Sequence, residues 1–382
     1  MRKVCVVVSS HTDYVGVKTI MQAIKEHEDL ELQFIVGGSA LLERFGASVN
    51  YMIDDGFAPD AQIYMEVEGD NLMTMAKTVG LAIIETAVTL ERLQPDIVLI
   101  VGDRYETISA AIAASYMNIP LAQTMCGEIS GTIDEHIRHA ITKLAHIHFP
   151  ATRLSEQRIL RMGEDPEHVY MVGCPTVDRI INGAQDDNLD IFDRFKGVGG
   201  RLDLSEPFLL AMQHPVTTEY QDARRQIEET LSALQTLKMP TIMIWPNIDA
   251  GHAAMAKGIR TFRENNEVDN WLHMFKNLPP DVFLNLLDKC ACLIGNSNCG
   301  IREAPALGTP VVNIGTRQKG RERASNVIDV DYNRHKIIDA ILTQYAHGKY
   351  TPNFLYGDGR AGKRIADILA TCELNINKRM TY

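Results

Sequence analysis

Residues 290–315 read CACLIGNSNCGIREAPALGTPVVNIG, and their order decides the fold. An apolar run, Cys290–Gly295, breaks at the polar turn Asn296–Gly300, continues as IREAPALG, and yields to a second apolar run, Pro310–Gly315. A strand entering a helix through a short turn, with another strand behind it, is the repeating unit of a parallel sheet covered by helices. The same alternation extends to either side. Upstream lie Pro207–Gln213, Thr241–Pro246 and Trp271–Phe275, and before them Lys3–Val8, Leu32–Val36, Ile97–Val101, Leu121–Thr124, His148–Ala151 and Val169–Val172. Between the two series the stretch Gly183–Pro207 is polar and rich in Asp and Gly, the composition of a connection.

The expected organisation is therefore α/β, with a first domain over residues 1–183, a linker over 184–206, a second domain over 207–355 and a terminal helix within 356–382 for which a return to the first domain stays open. A chain of 382 residues suits two domains of roughly 150. With 45% apolar and 23% charged residues, each half has enough material for its own core. The net charge of −11, with basic residues scattered, argues against nucleic acid or an anionic membrane as partner. The apolar N-terminal run Val4–Val8 is too short for a signal peptide, and no apolar segment reads as long enough to span a bilayer. Seven cysteines without a CxxC pair suit reduced thiols and a cytoplasmic protein. The spacing of Cys290 and Cys292, and of the histidines in HIH and EHIRH, does not suit a metal. Neither a Walker loop nor GxGxxG after the first strand is present, so neither ATP hydrolysis nor a dinucleotide cofactor is expected.

In open α/β sheets ligands collect beyond the carboxyl ends of the strands. After Cys290–Gly295 come Ser297 and Asn298, whose side chains together with the N–H groups of a helix start suit an anion; the same residues equally suit a plain helix cap. Glu303 reads as lying in the first turn of that helix, suited to accept ribose hydroxyls or simply to favour the helix dipole. Arg317 follows Pro310–Gly315 and suits a bidentate grip on a diphosphate, while Lys319, Arg321 and Arg323 read as solvated. In the first half, Asp103 and Arg104 follow Ile97–Val101. Glu128, Asp134, Glu135, His136, Arg138 and His139 crowd one short region, either as an acid and base set or as a polar helix start capped by Asp134. His214 follows Pro207–Gln213 and precedes Pro215, which delays any helix and leaves the ring available.

Together these motifs resemble the hydrolysing UDP-N-acetylglucosamine 2-epimerase family, which opens bacterial sialic acid biosynthesis and forms half of the bifunctional animal enzyme. The resemblance runs through GDRYE (Gly102–Glu106), GEISGTIDEHIRHAITKLAH (Gly127–His146), QHPVTTE (Gln213–Glu219), WPNIDAG (Trp245–Gly251), GNSNCGIRE (Gly295–Glu303), GTPVVNIGTRQKGRE (Gly308–Glu322) and YGDG (Tyr356–Gly359). It implies two Rossmann-like domains in the arrangement of the B-type glycosyltransferases, holding a sugar nucleotide. It also implies a hydrolase-type reaction: loss of the C2 proton with the nucleotide, then addition of water to the glycal. By the family's matching positions Asp103, Asp134, Glu135 and His214 are acid and base candidates, with Arg104 nearby. Ser297, Asn298 and Arg317 would hold the diphosphate, Glu303 the ribose, and Asn247 and Phe275 would border the base. A homo-oligomer, dimer or tetramer, is implied as well.

Three departures stand out. Where the family runs like HIEGGE, this chain has Gln123-Thr124-Met125-Cys126-Gly127-Glu128, and Met125 cannot transfer a proton; either Glu128 or the Asp134/Glu135 pair supplies that function, or the two catalytic half-steps are partitioned differently. His11 stands in place of a phosphate-binding arginine and would make that contact sensitive to pH. Asn298 replaces a serine. UDP-N-acetylglucosamine is the expected substrate; a UDP-linked 2,4-diacetamido-6-deoxy sugar or a GDP-linked sugar is the alternative within the family. A B-type glycosyltransferase and a binding protein without catalysis are the alternatives outside it.

Overall fold

The structure, a computed structural model, describes residues 1–69, 71–102, 104–183 and 190–381. The chain divides into two compact units. One comprises Met1–Ile129, Ile133–Asn182 and Tyr356–Tyr382, the other Ser130–Thr132 and Gly183–Leu355.

In the first unit six parallel strands, β1 (Arg2–Val8), β2 (Leu30–Gly37), β3 (Ala61–Ile63), β4 (Ile97–Val101), β5 (Leu121–Cys126) and β6 (Ile147–Pro150), lie in the order β3-β2-β1-β4-β5-β6. The central strands are Val- and Ile-rich and buried along both faces, as helix-covered parallel strands must be. Val169–Val172 does not become a seventh strand. Tyr170 and Val172 donate to the carbonyls of His148 and Pro150, but Pro150 has no N–H to return, so the pairing stops after one bridge. The helix Ala361–Thr371 belongs to this unit and packs against the helix His11–Glu26. Its first N–H groups are capped from outside, since Asp178 accepts from Ala361 and Gly362 at 3.0 and 2.7 Å.

One helix here corrects the sequence reading. Leu72–Leu93 is, by length and composition, apolar enough to cross a membrane. It lays Thr74, Thr78, Ala82, Thr86 and Leu90 on the core and leaves Met73, Ile84 and Val88 exposed. Alternation of small and apolar residues hides such a helix from a search for unbroken apolar runs.

The second unit has seven strands, β7 (Gly197–Gly199), β8 (Leu209–Met212), β9 (Thr241–Ile244), β10 (Leu272–Phe275), β11 (Cys292–Gly295), β12 (Val311–Ile314) and β13 (Val327–Val330), in the order β13-β12-β11-β8-β9-β10-β7. Only β7 runs antiparallel, along β10. Part of the expected linker is thus an edge strand, reduced to GVG and unrecognisable by its side chains; residues 184–189 of that linker lie outside the described residues. Counting from β8, the six parallel strands repeat the order of the first unit. Both units are Rossmann-like α/β folds. In each the strand order reverses beside its first strand, between β1 and β4 and between β8 and β11, the crevice where such sheets receive ligands.

Candidate functional site

At the reversal point of the second unit, β11 ends on Gly295 at φ +128°, where a Cβ would stand 2.1 Å from the Met212 carbonyl oxygen. Only glycine permits that approach, and it carries the chain across the end of β8. Asn296 follows, fully buried, with every polar atom engaged. Its N–H donates to the Met212 carbonyl at 3.1 Å. Its Oδ1 accepts the His214 N–H at 2.7 Å while its Nδ2 donates to the His214 carbonyl at 2.9 Å. Its own carbonyl accepts from Arg317 Nη1 at 3.2 Å and from Gln318 Nε2 at 2.8 Å.

His214 is buried as well, and its Nδ1 accepts the Asn247 N–H at 3.1 Å. That bond places the proton of the neutral ring on Nε2, leaving Nε2–H as the donor. Asn247 is held in turn, donating from Nδ2 to Asp249 at 2.6 Å and accepting His252 Nδ1 on its carbonyl at 2.6 Å. Ser297 Oγ accepts from the Cys299 N–H at 3.4 Å and from the Cys299 thiol at 3.1 Å. The turn therefore caps the helix Cys299–Leu307 through Ser297, and Asn298, formally the cap position, makes no capping bond with its side chain. Glu303 is the fifth residue of this helix, one turn beyond where the sequence put it, and it is buried. Burial, with the Glu303 carboxylate adding to it, raises the Cys299 thiol above its usual range. Phe275 ends β10 with its ring covered, 4.6 Å from His273 and 6.2 Å from Phe192 by centroids, so the ring lies in the core of this unit.

The reversal point of the first unit carries His11, in the first turn after β1, and Arg104, after β4; Asp103 lies outside the described residues. The His11 Nδ1 is buried without a hydrogen-bond partner, and burial, with the Arg179 guanidinium nearby, lowers the imidazole to about 4. Without a bound anion the ring is neutral near pH 7. Arg104 is locked to Glu106, Nε to Oε2 at 3.0 Å and Nη2 to Oε1 at 2.8 Å, both residues buried. Burial, with the Glu66 and Asp13 carboxylates nearby, outweighs the pull of Arg104 and raises the Glu106 carboxyl to about 8.

Glu128, Glu135 and Arg138 form one cluster. The buried Arg138 donates Nη1 to the Glu128 carbonyl at 3.0 Å and to Glu135 Oε2 at 3.3 Å, and Glu135 Oε1 meets His139 Nε2 at 3.1 Å. Asp134 opens the helix Asp134–Leu144 but does not cap it; the cap position is Ile133. Gln123 ties β4 to this helix, donating to the carbonyls of Gly102 and Arg138 at 2.8 and 3.2 Å and accepting Thr142 Oγ1 at 2.8 Å. Met125 sits at a bulge in β5 with φ 54°, rare for a residue with a side chain. It is buried against Gly16, with the Cys174 thiol 3.5 Å from its sulfur. The sequence places Asn296 in the polar turn and Glu106 in GDRYE without giving either a role of its own, and it gives Asp13 none; the role of Asn296 depends on where β8 and β11 stop pairing.

The profile of the UDP-N-acetylglucosamine 2-epimerase family matches residues 22–370. The chain belongs to this family. Among relatives of the epimerase family, the UDP-N,N'-diacetylbacillosamine 2-epimerase (hydrolyzing) of Legionella pneumophila is 33% identical over 100% of both chains. The UDP-N-acetylglucosamine 2-epimerase of Neisseria meningitidis is 28% identical over 97% of this chain and 95% of its own. The fold is that of the Methanocaldococcus jannaschii UDP-GlcNAc 2-epimerase, solved with UDP-GlcNAc and UDP, at a TM-score of 0.79 and 18% identity over 96% of this chain and 99% of that one. Among the described residues of this UDP-sugar 2-epimerase, no group of three or more His, Cys, Asp or Glu side chains is placed to hold a metal ion.

Proposed function

We propose that the chain is a hydrolysing 2-epimerase of a UDP-linked 2,4-diacetamido-6-deoxy sugar. The observation that carries this reading is the full-length match, at 33% identity, to a hydrolysing UDP-N,N'-diacetylbacillosamine 2-epimerase, against 28% to an enzyme named for UDP-N-acetylglucosamine. The burial of Met125 supports it: the position at which the family pattern has an acid serves packing in this chain, so the catalytic set is not the one the pattern implies.

A base takes the C2 proton, the C1–O bond to the diphosphate breaks, and UDP leaves an acetamidoglycal. Water then adds its hydroxyl to C1, and a proton reaches C2 from the opposite face. The C2 proton is barely acidic, so base and leaving-group stabilisation must act together. Asp103, Glu128, Asp134 and Glu135 are the proton-transfer candidates. His214, through Nε2–H, and Ser297, Asn298 and Arg317 serve the diphosphate, with Glu303 on the ribose and Asn247 beside the base. Arg104, spent on Glu106, positions rather than contacts substrate. A homo-oligomer is part of the reading, and the exposed apolar side chains of Leu72–Leu93 suit it.

Turnover in heavy water tests the chemistry. UDP release with deuterium at C2 of the freed sugar is expected, faster from the diacetamido-6-deoxy substrate than from UDP-N-acetylglucosamine. No deuterium from any UDP- or GDP-linked acetamido sugar removes the epimerase reading, and a reversed preference removes the substrate. Asp103→Asn is expected to abolish turnover and spare UDP binding; full activity of that variant takes Asp103 out of the mechanism.

A further inference from the structure

We infer that Asn296 is the positioning residue that couples His214 to Arg317, so that the two groups assigned to the diphosphate act as one unit. The inference rests on the reading of the site just given. β8 and β11 stop pairing at Met212 and Gly295. Beyond that point the Asn296 side chain takes over as a surrogate peptide, giving one acceptor and one donor to the two backbone groups of His214. A primary amide has both in one plane, which neither Asp nor Ser can reproduce. Holding the N–H and the carbonyl of one residue fixes the backbone orientation of His214, and the Asn247 N–H on Nδ1 then fixes the ring.

From its other side Asn296 offers its carbonyl to Arg317 and Gln318. The guanidinium and the imidazole thus share one small buried support, entered through the Gly295 twist. Loss of the amide releases both ends at once: the His214 backbone loses two hydrogen bonds, and the peptide that holds Arg317 is free to turn. Such coupling appears as non-additivity between substitutions of residues that share a support.

A double-mutant cycle on UDP binding, measured by calorimetry, reads it. Arg317→Ala is expected to weaken UDP binding at least about 30-fold in the wild-type background, the low end expected for a desolvated charge contact. In the Asn296→Ala background the same change should cost less than about threefold. Nitrogen NMR of His214 provides a readout that needs no ligand: a single Nε2–H tautomer in the wild type, and averaged ring signals in folded Asn296→Ala. Should Asn296→Ala not fold, Asn296→Ser, which keeps a short polar group, takes its place in both measurements. Additive costs with unchanged ring signals overturn the inference while leaving the epimerase reading intact. Absence of UDP binding to the wild type instead counts against that reading, and the ring signals alone then decide the role of Asn296.

Discussion

Arg104 and Glu106 face each other through two parallel hydrogen bonds, 3.0 and 2.8 Å long, in a pocket closed to solvent. Two residues apart in sequence, they pair at the very start of the helix Thr107–Tyr116, and the pair engages the guanidinium that the motif GDRYE presents as a functional group. Removing one partner of a buried pair leaves the other charge uncompensated. Glu106→Ala, which takes away both acceptors of the guanidinium, is therefore expected to lower the unfolding free energy by about 3 kcal/mol, read from urea denaturation. An unchanged midpoint would mean that Glu66 or Asp13 takes over the guanidinium.

His11 gives a pH prediction with a definite sign. Its folded value, about 4, lies below the ordinary 6.5. Between those values the unfolded chain accepts a proton that the native ring refuses, so stability falls as pH drops through that window. In proton NMR the His11 ring should stay neutral from pH 8 to about pH 5, judged by the unperturbed imidazole range. A midpoint near neutrality would restore the pH-sensitive phosphate contact expected from sequence.

The Glu164 carboxylate, 1% exposed, gathers Lys143 Nζ at 2.6 Å, His148 Nε2 at 3.0 Å and Lys378 Nζ at 2.5 Å. Burial alone would raise it, but these bonds outweigh burial and bring it down to about 2. A depressed carboxylate contributes fully above its usual 4.5 and loses that contribution as pH falls toward 2. In Glu164→Gln the loss of stability between pH 6 and pH 3 should be smaller than in the wild type by about 2 kcal/mol. Equal pH slopes for the two proteins would take Glu164 out of the acid transition.

Arg317→Ala should weaken UDP binding by about 2 to 5 kcal/mol if the contact is a desolvated charge pair, with little change in thermal midpoint, since the side-chain hydrogen bond it removes is to the Asn296 carbonyl at 3.2 Å. An unchanged dissociation constant would refute its role.

The strands that carry both reversal points were legible in the sequence because each is a run of Val, Ile, Leu or Met between turn residues. The edges were not. β3 is three residues long, β7 is GVG, and β13 is interrupted by Asp329, so each depends on its neighbour rather than on its own pattern. At Val169–Val172 the pattern favoured a strand, and a proline on the opposite strand, remote in sequence, prevented it. Residue types at the candidate site were legible for the same reason as the central strands: they follow the strand ends. What could not be read is which polar groups the fold itself consumes. Arg104 reads as a candidate group in sequence, and its guanidinium pairs with the Glu106 carboxylate. Asn296 reads only as the first residue of a polar, anion-suited turn, and its side chain holds both backbone groups of His214 at the second reversal point.

The return of residues 356–382 to the first unit sets an order of assembly. On the ribosome the whole of Gly183–Leu355 emerges before the helix Ala361–Thr371, which covers the helix His11–Glu26 and is capped by Asp178. Domains generally fold as units in the order they are synthesised, yet here the second unit has its full sequence while the first still lacks its last helix. The half that begins first is completed last, and until then an apolar face of His11–Glu26 waits uncovered.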